Sequence, residues 1–159
     1  MRKSLSATIT RPADTTAYAA GDVIGTASTH ILTFNNALDV IANDMQRGLI
    51  YRAWLIDSAA AATLPSLELW LFNVAPAAQA DNAVFNVSDA ELMNGLVGII
   101  PFTRSFVGKA NDNSVQVSDQ LSMAFEVAPG DTAIYGVLVV RNAYTPVSAE
   151  QFKIILNLD

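Results

Sequence analysis

Cysteine is absent from the 159 residues, which excludes disulfides and thiolate metal sites and leaves stability to packing or assembly. Charge is also sparse: Asp, Glu, Lys and Arg make up 15% of the chain, where about 25% is usual. Nine basic residues are scattered against fifteen acidic ones, for a net charge of −6. A nucleic-acid surface needs clustered Lys and Arg that release counterions, so no nucleic-acid partner is expected. The one adjacent basic pair, Arg2 and Lys3, reads as a solvated tail. No stretch approaches the ~18 apolar residues of a membrane-spanning helix, and the start Met1 to Ser4 leads into polar residues instead of an apolar signal core. No membrane partner is expected either. His30 is the only histidine; with no nucleophile-elbow pattern and no second histidine, it reads as a surface or capping residue, not a catalyst or metal ligand. The glycine patterns that cradle nucleotide phosphates do not occur, so no cofactor is expected.

What the chain does have is apolar content, 52%, arranged with period two. Phe152, Ile154, Leu156 and Leu158 alternate with Lys153, Ile155 and Asn157. Leu67, Leu69 and Leu71 alternate with Glu68, Trp70 and Phe72. Met123, Phe125 and Val127 alternate with Ala124 and Glu126 before a turn at Ala128 to Asp131. Side chains on a strand point alternately to opposite faces, so each of these is a strand with one buried side. Leu49 to Ile56 and Ile134 to Val140 are apolar on both faces and suit central strands covered on both sides. Leu96 to Phe102 contains Gly98 and Pro101 and reads as an edge or bulged strand, because proline cannot donate to a ladder. Ile31 to Phe34, Ala37 to Ile41 and Val115 to Val117 are shorter candidates. The expected fold is all-β, a single antiparallel β-sandwich or jelly roll of about eight to ten strands with one short helix. Ser88 and Glu91 have the spacing of a capping box, which starts that helix, and Gly95 stops it. Residues 74–83 and 59–65 read as surface loops. One domain of this length buries roughly 70% of its unfolded surface; within it, residues 1–25 form an N-terminal arm and first strand, and residues 26–159 the body.

Chemistry is hard to find. A glycoside hydrolase needs only two acids at a fixed separation, but most of the aspartates (Asp14, Asp22, Asp57, Asp81, Asp89, Asp112, Asp119, Asp131) sit in turn-like contexts, where the side chain bonds its own backbone. Asn111 to Ser114 is rich in oxygen donors yet lacks the glycine and distal glutamate of a calcium loop. The expectation is no enzyme, no metal and no cofactor. The aromatics say more. With Leu67, Leu69 and Leu71 facing the core, Trp70 and Phe72 share the other face and need a cover, supplied by this chain, by a neighbouring protein or by a sugar ring. Trp54 and Tyr144 are further platform candidates for a glycan.

The opening run from Ala7 to Ile24, with Thr10-Arg11-Pro12, Asp14-Thr15, Tyr18 and Gly21-Asp22-Val23, resembles the start of a group of small tailed-bacteriophage proteins with an all-β body. Arg47-Gly48, Leu69 to Phe72, Ala80 to Ala83 followed by Phe85, and Tyr135-Gly136 are similar to further parts of that pattern. The likeness therefore spans most of the chain. Between Asn35 and Gln46 the sequence departs from it, lacking the expected Gly-rich turn. The resemblance implies a virion structural protein that decorates or cements the capsid shell, made in the host cytoplasm and carried on the capsid surface. The major capsid protein or another virion protein would be its partner. A homo-oligomer is expected, a trimer being the natural form at a three-fold position. The family offers no catalytic residues to carry over. Arg11, Pro12, Tyr18, Trp70 and Phe72 are the candidate interface residues, with the opening motif read as a rigid arm and turn. The alternative function is a carbohydrate-binding sandwich of a phage tail or fibre.

Overall fold

The fold is built around the two apolar runs read as central strands. In a computed structural model, which describes residues 3–37, 47–59, 63–108 and 113–159, they become β4 (Arg47–Asp57) and β10 (Ile134–Val140), each the middle of an antiparallel sheet. Eleven strands are present among the described residues, slightly more than expected. The others are β1 (Lys3–Thr10), β2 (Val23–Ile24), β3 (Ile31–Phe34), β5 (Leu67–Phe72), β6 (Leu96–Pro101), β7 (Arg104–Gly108), β8 (Asn113–Ser118), β9 (Met123–Glu126) and β11 (Gln151–Leu158). The strand candidate Ala37 to Ile41 lies, from residue 38 on, outside the described residues. So do residues 60–62 of one expected loop and residues 111–112 of the oxygen-rich segment.

The six-stranded sheet runs β1-β11-β4-β8-β7, and β4 is long enough to pair β9 as well as β8 along one edge. The five-stranded sheet runs β2-β10-β5-β6, with β3 also beside β10. The main core lies between the sheets. Leu5, Ile9, Ile50, Leu55, Phe152, Ile154 and Leu156 from one side meet Leu32, Phe34, Leu67, Leu69, Leu71, Ile134 and Leu138 from the other. This is the β-sandwich that the alternation called for, held by interdigitating apolar faces.

β10 is buried on both faces, as expected, but β4 is not. Ile50, Ala53, Leu55 and Asp57 are buried on its inner face, whereas Arg52, Trp54 and Ile56 on its outer face remain partly exposed. β6 is an edge strand, as its proline requires, and it carries a bulge at Val97, where its register with Leu71 and Phe72 shifts. β7 escaped notice in the sequence because Phe106 and Val107 are adjacent, not alternating; every residue in it is exposed.

A third layer closes the outer side of the five-stranded sheet. The helix α1 (Asp89–Gly95) and the preceding loop cover Val23, Phe72, Val137 and Val139, with Trp70, Phe85, Val87 and Leu92 packed around them. The capping box is formed as anticipated: Glu91 N–H donates to Ser88 Oγ at 3.3 Å and Ser88 N–H to Glu91 Oε2 at 2.7 Å. Glu91 Oε1 also accepts Ala77 N–H at 2.6 Å, which ties the loop to the helix. These bonds hold the Glu91 carboxyl down to about 2. The cover over the aromatic face is therefore the chain itself, and Phe72, fully buried, belongs to that second core. Truncating it should show this: Phe72→Ala is expected to lower stability by about 3–5 kcal/mol, read from the urea unfolding midpoint of the isolated protein. An unchanged midpoint would remove Phe72 from the core.

Candidate functional site

The residues that carry the phage-like pattern converge. Arg11 follows β1 directly, and its backbone N–H donates to Glu150 O at 3.0 Å, so the chain turns inward at that point. Pro12 fixes the next φ, and its carbonyl accepts the N–H groups of Asp14 at 2.9 Å and Ala149 at 3.2 Å. Asp14 Oδ1 takes Thr16 N–H at 3.0 Å, a side-chain turn that folds the segment back. That bond first, and Arg11 nearby, hold the Asp14 carboxyl below its usual range. Gly21 adopts φ +100°, a conformation that favours glycine, and its N–H reaches Val140 O at 2.8 Å. Asp22 closes the turn by accepting Ala19 N–H at 2.6 Å.

This geometry brings Arg11 and Tyr18 onto Asp81, about sixty residues further along. The Arg11 side chain is fully buried and Asp81 is 6% exposed. Arg11 Nη2 donates to Asp81 Oδ2 at 3.2 Å, Arg11 Nε to the Tyr18 hydroxyl, and that hydroxyl in turn to Asp81 Oδ1 at 2.5 Å. Gly25 N–H completes the set at 2.7 Å from Asp81 Oδ1. A Cβ at Gly25 would lie 2.8 Å from Thr29 O and 3.2 Å from Asp81 N, so the approach needs glycine. Tyr18 stacks on Tyr144, with ring centroids 5.1 Å apart. Burial works against the Arg11 charge, but the bond to Tyr18 and the Asp81 carboxylate more than offset it and raise its pKa. Burial, then the bond to Asp81, keep the Tyr18 hydroxyl protonated well beyond its usual range. Arg11 and Tyr18, expected at an interface, are thus 2% exposed each and act inside the chain, locking the opening motif to the cover loop. Pro12 stays partly exposed beside them.

Beside this hub two carboxyls meet. Asp57, at the end of β4, and Glu150, just before β11, are 0% and 1% exposed. Asp57 Oδ1 accepts Ala59 N–H at 2.9 Å and its Oδ2 lies 3.4 Å from Ser114 Oγ. Glu150 Oε2 accepts Val147 N–H at 3.3 Å, while its Oε1 meets no donor. A carboxyl oxygen with no donor facing a second carboxyl is satisfied when it carries the proton itself. Burial, the neighbouring Asp57 charge and the hydrogen bond to Asp57 accordingly push Glu150 up to about 8. Asp57, too, is raised by burial. Two acids do converge here, but in direct contact with each other and buried. Asp57 and Asp81 are therefore more than turn residues.

His30 is a correction of a different kind. It is buried, 1% exposed, where a surface or capping position was expected. Gln79 N–H donates to its Nδ1 at 2.8 Å and Phe85 lies edge-on with centroids 6.3 Å apart. Burial lowers its pKa, so a neutral ring serves as an acceptor that pins the cover loop.

The three aromatic platform candidates separate. Tyr144 is buried, 3% exposed. Trp70 packs edge-on against Phe85 at 5.2 Å and donates to Glu68 Oε2 at 3.3 Å. Trp54 alone stands on an outer sheet face clear of the cover loop, with Arg52 5.6 Å from its ring centre and Nε1–H donating to Asn157 at 3.1 Å. Across the register it adjoins Ile155 and Val117, and the next row holds Ile56, Val115 and Phe106. Among the described residues no group of three or more His, Cys, Asp or Glu is placed to hold a metal ion, and no helix is long and apolar enough to cross a membrane.

No protein-family model and no curated protein matches the chain. Among solved structures it is similar to a chain of the cyanophage Pam1 capsid asymmetric unit, at 11% identity and TM-score 0.38, over 99% of this chain and 83% of that one. A chain of the Israel acute paralysis virus pentamer aligns at 12% identity and TM-score 0.28, over 99% of this chain and 88% of that one. A maize chlorotic mottle virus chain aligns at 12% identity and TM-score 0.31, over 99% of this chain and 91% of that one.

Two measurements test the buried groups. Arg11→Met leaves Asp81 buried without its cation and is expected to lower stability by about 3–5 kcal/mol, with Asp81→Asn restoring part of the loss in the double variant. An additive loss would show that the two do not act as a pair. For Glu150, the unfolded chain titrates near 4.5 and the folded one near 8, so the native state holds the extra proton between those values. Its stabilising contribution is complete below the lower value and is lost as pH rises through the upper one. The urea midpoint of the wild type should therefore fall between about pH 5 and about pH 9, while Glu150→Gln, which keeps a donor toward Asp57, flattens the profile. Parallel profiles would overturn the shared proton.

Proposed function

We propose that this chain is a structural protein of a tailed-phage particle, decorating or cementing the capsid shell through protein–protein contacts. The observation that carries the reading is the hub. Arg11, Tyr18 and Asp81 come from two separated parts of the phage-like pattern and meet in one hydrogen-bonded unit, so the pattern describes a single physical construction. The sealing of Asp57 and Glu150 adds support, since the acids that converge are out of reach of any substrate. So does the apolar strip from Ile155 to Phe106, the kind of surface a protein contact covers. On this reading the major capsid protein is the partner, the chain sits on the capsid surface as a homo-oligomer, and a trimer suits a three-fold site. Many copies, each making a modest contact, then hold the shell by multivalency.

A carbohydrate-binding role is the second reading, favoured by one observation: Trp54 on an outer face with Arg52 beside its ring. Mass spectra of purified particles should contain the chain at high copy number, and the purified chain should bind shells stripped of it. Absence from the particle would overturn the structural role. Glycan-array binding lost in Trp54→Ala would establish the second reading in its place.

A further inference from the structure

The outer sides of the two sheets differ in charge as well as in cover. On the six-stranded sheet, Trp54, Ile56, Val115 and Ile155 are half-buried and Phe106 is 56% exposed. The register lays them in two adjoining rows, Ile56-Val115-Phe106 and Ile155-Trp54, the second running on to the buried Val117. Around them stand Arg47, Arg52, Arg104 and Lys153 against the carboxylates Asp119 and Glu126. That is a net +2 on a chain whose total is −6. Edge strand β7 borders the strip, with Arg104 as its one charged residue and no proline or bulge.

The opposite side of the molecule has the complementary character. Val84 is 71% exposed, Met93 85% and Val74 53%. Val74 joins Ala75, Ala90, Glu91, Asn94 and Gly95 around a cavity of about 200 Å³. Glu68, Asp89, Glu91 and Asp131 lie on this side, with Arg141 bonded to Glu68. Its net charge among these residues is −3.

We infer that these two outer sides are the two halves of one contact, by which the basic apolar strip of one copy seats on the acidic cover of a second copy. A face-to-face pair is disfavoured, because it sets two faces of net positive charge against each other, the one carboxylate Asp119 not balancing Arg52, Arg104 and Lys153. Joining unlike faces removes that repulsion and buries both exposed apolar sets. Such a contact is heterologous, leaving a free half on each side, so it propagates until the rotation closes a ring. The inference deepens the assembly reading, yet it concerns contacts between copies and not attachment to a shell.

Mixing variants is the decisive experiment. Phe106→Glu with Lys153→Glu disables the basic strip, and Val84→Lys with Met93→Lys disables the acidic cover. All four side chains are exposed, and unchanged urea midpoints confirm folding. In sedimentation equilibrium the wild type should self-associate more tightly as salt is lowered. Each double variant alone should associate at least tenfold more weakly than the wild type. Mixed in equal amounts, the two should form a one-to-one dimer and nothing larger, because each supplies the half the other lacks. A wild type that stays monomeric, or a mixture in which no dimer forms, overturns the inference. A chain missing from particles would remove the shell reading while leaving this contact standing.

Discussion

One buried cation organises the polar interior. Arg11 has no exposed side-chain surface, and a charge in that position is tolerable only when its partners are fixed in advance. Asp81, the Tyr18 hydroxyl and the carbonyls of Asp14 and Val147 are those partners, and they come from three regions of the chain. Satisfying one guanidinium therefore fixes the turn after β1, the loop that covers the five-stranded sheet and the approach to β11. Each of these segments would otherwise be an exposed connection. A buried ion pair of this kind contributes little net stability, but it discriminates strongly among arrangements of the segments around it, because any arrangement that leaves it unpaired is heavily penalised.

The cover loop follows from that constraint. The apolar residues of 74–88 are mostly alanines, and Val74 and Val84 point outward, so beyond Phe85 and Val87 the loop is held by a series of polar contacts: Gly25 and Arg11 to Asp81, His30 to Gln79, Glu91 to Ala77. Once it is held, Phe72 and Trp70 acquire a lid and the five-stranded sheet gains a third layer. Among the described residues the six-stranded sheet has no such layer, so its outer aromatics Trp54 and Phe106 are left for something else. The asymmetry between the two outer sides is thus set by which sheet the hub lies against.

Much of this was legible from pattern. Strict alternation located β5, β9 and β11 and their inward residues, because burial of one sheet face imposes a period of two on any sequence that survives it. The capping box at Ser88 was equally readable, being a local bond between residues three apart. What could not be read was which outer face would be covered. Trp70 and Trp54 sit in strands of similar composition, and the difference between them is made by a loop whose docking depends on contacts across roughly sixty residues of sequence. The same limit hid the buried roles of His30, Asp57 and Asp81. Asp57 and Glu150 lie far apart in sequence and meet only through the pairing of β4 with β11. β7 was missed for a different reason, since a strand exposed on every side has no burial to leave a periodic trace.

The position of β11 has a bearing on synthesis. It lies between β1 and β4, so two early strands both wait for the last one, and Thr10 finds its partner Gln151 across almost the whole sequence. Contacts of such long range form late and make folding slow. Tyr144 and the carbonyl of Val147, which complete the surroundings of Arg11, also emerge late from the ribosome. A nascent chain therefore lacks a finished outer sheet face until translation has passed these residues. Until then β1 and β4 each keep an edge unpaired, which exposes half-made copies on a crowded polysome to pairing with one another.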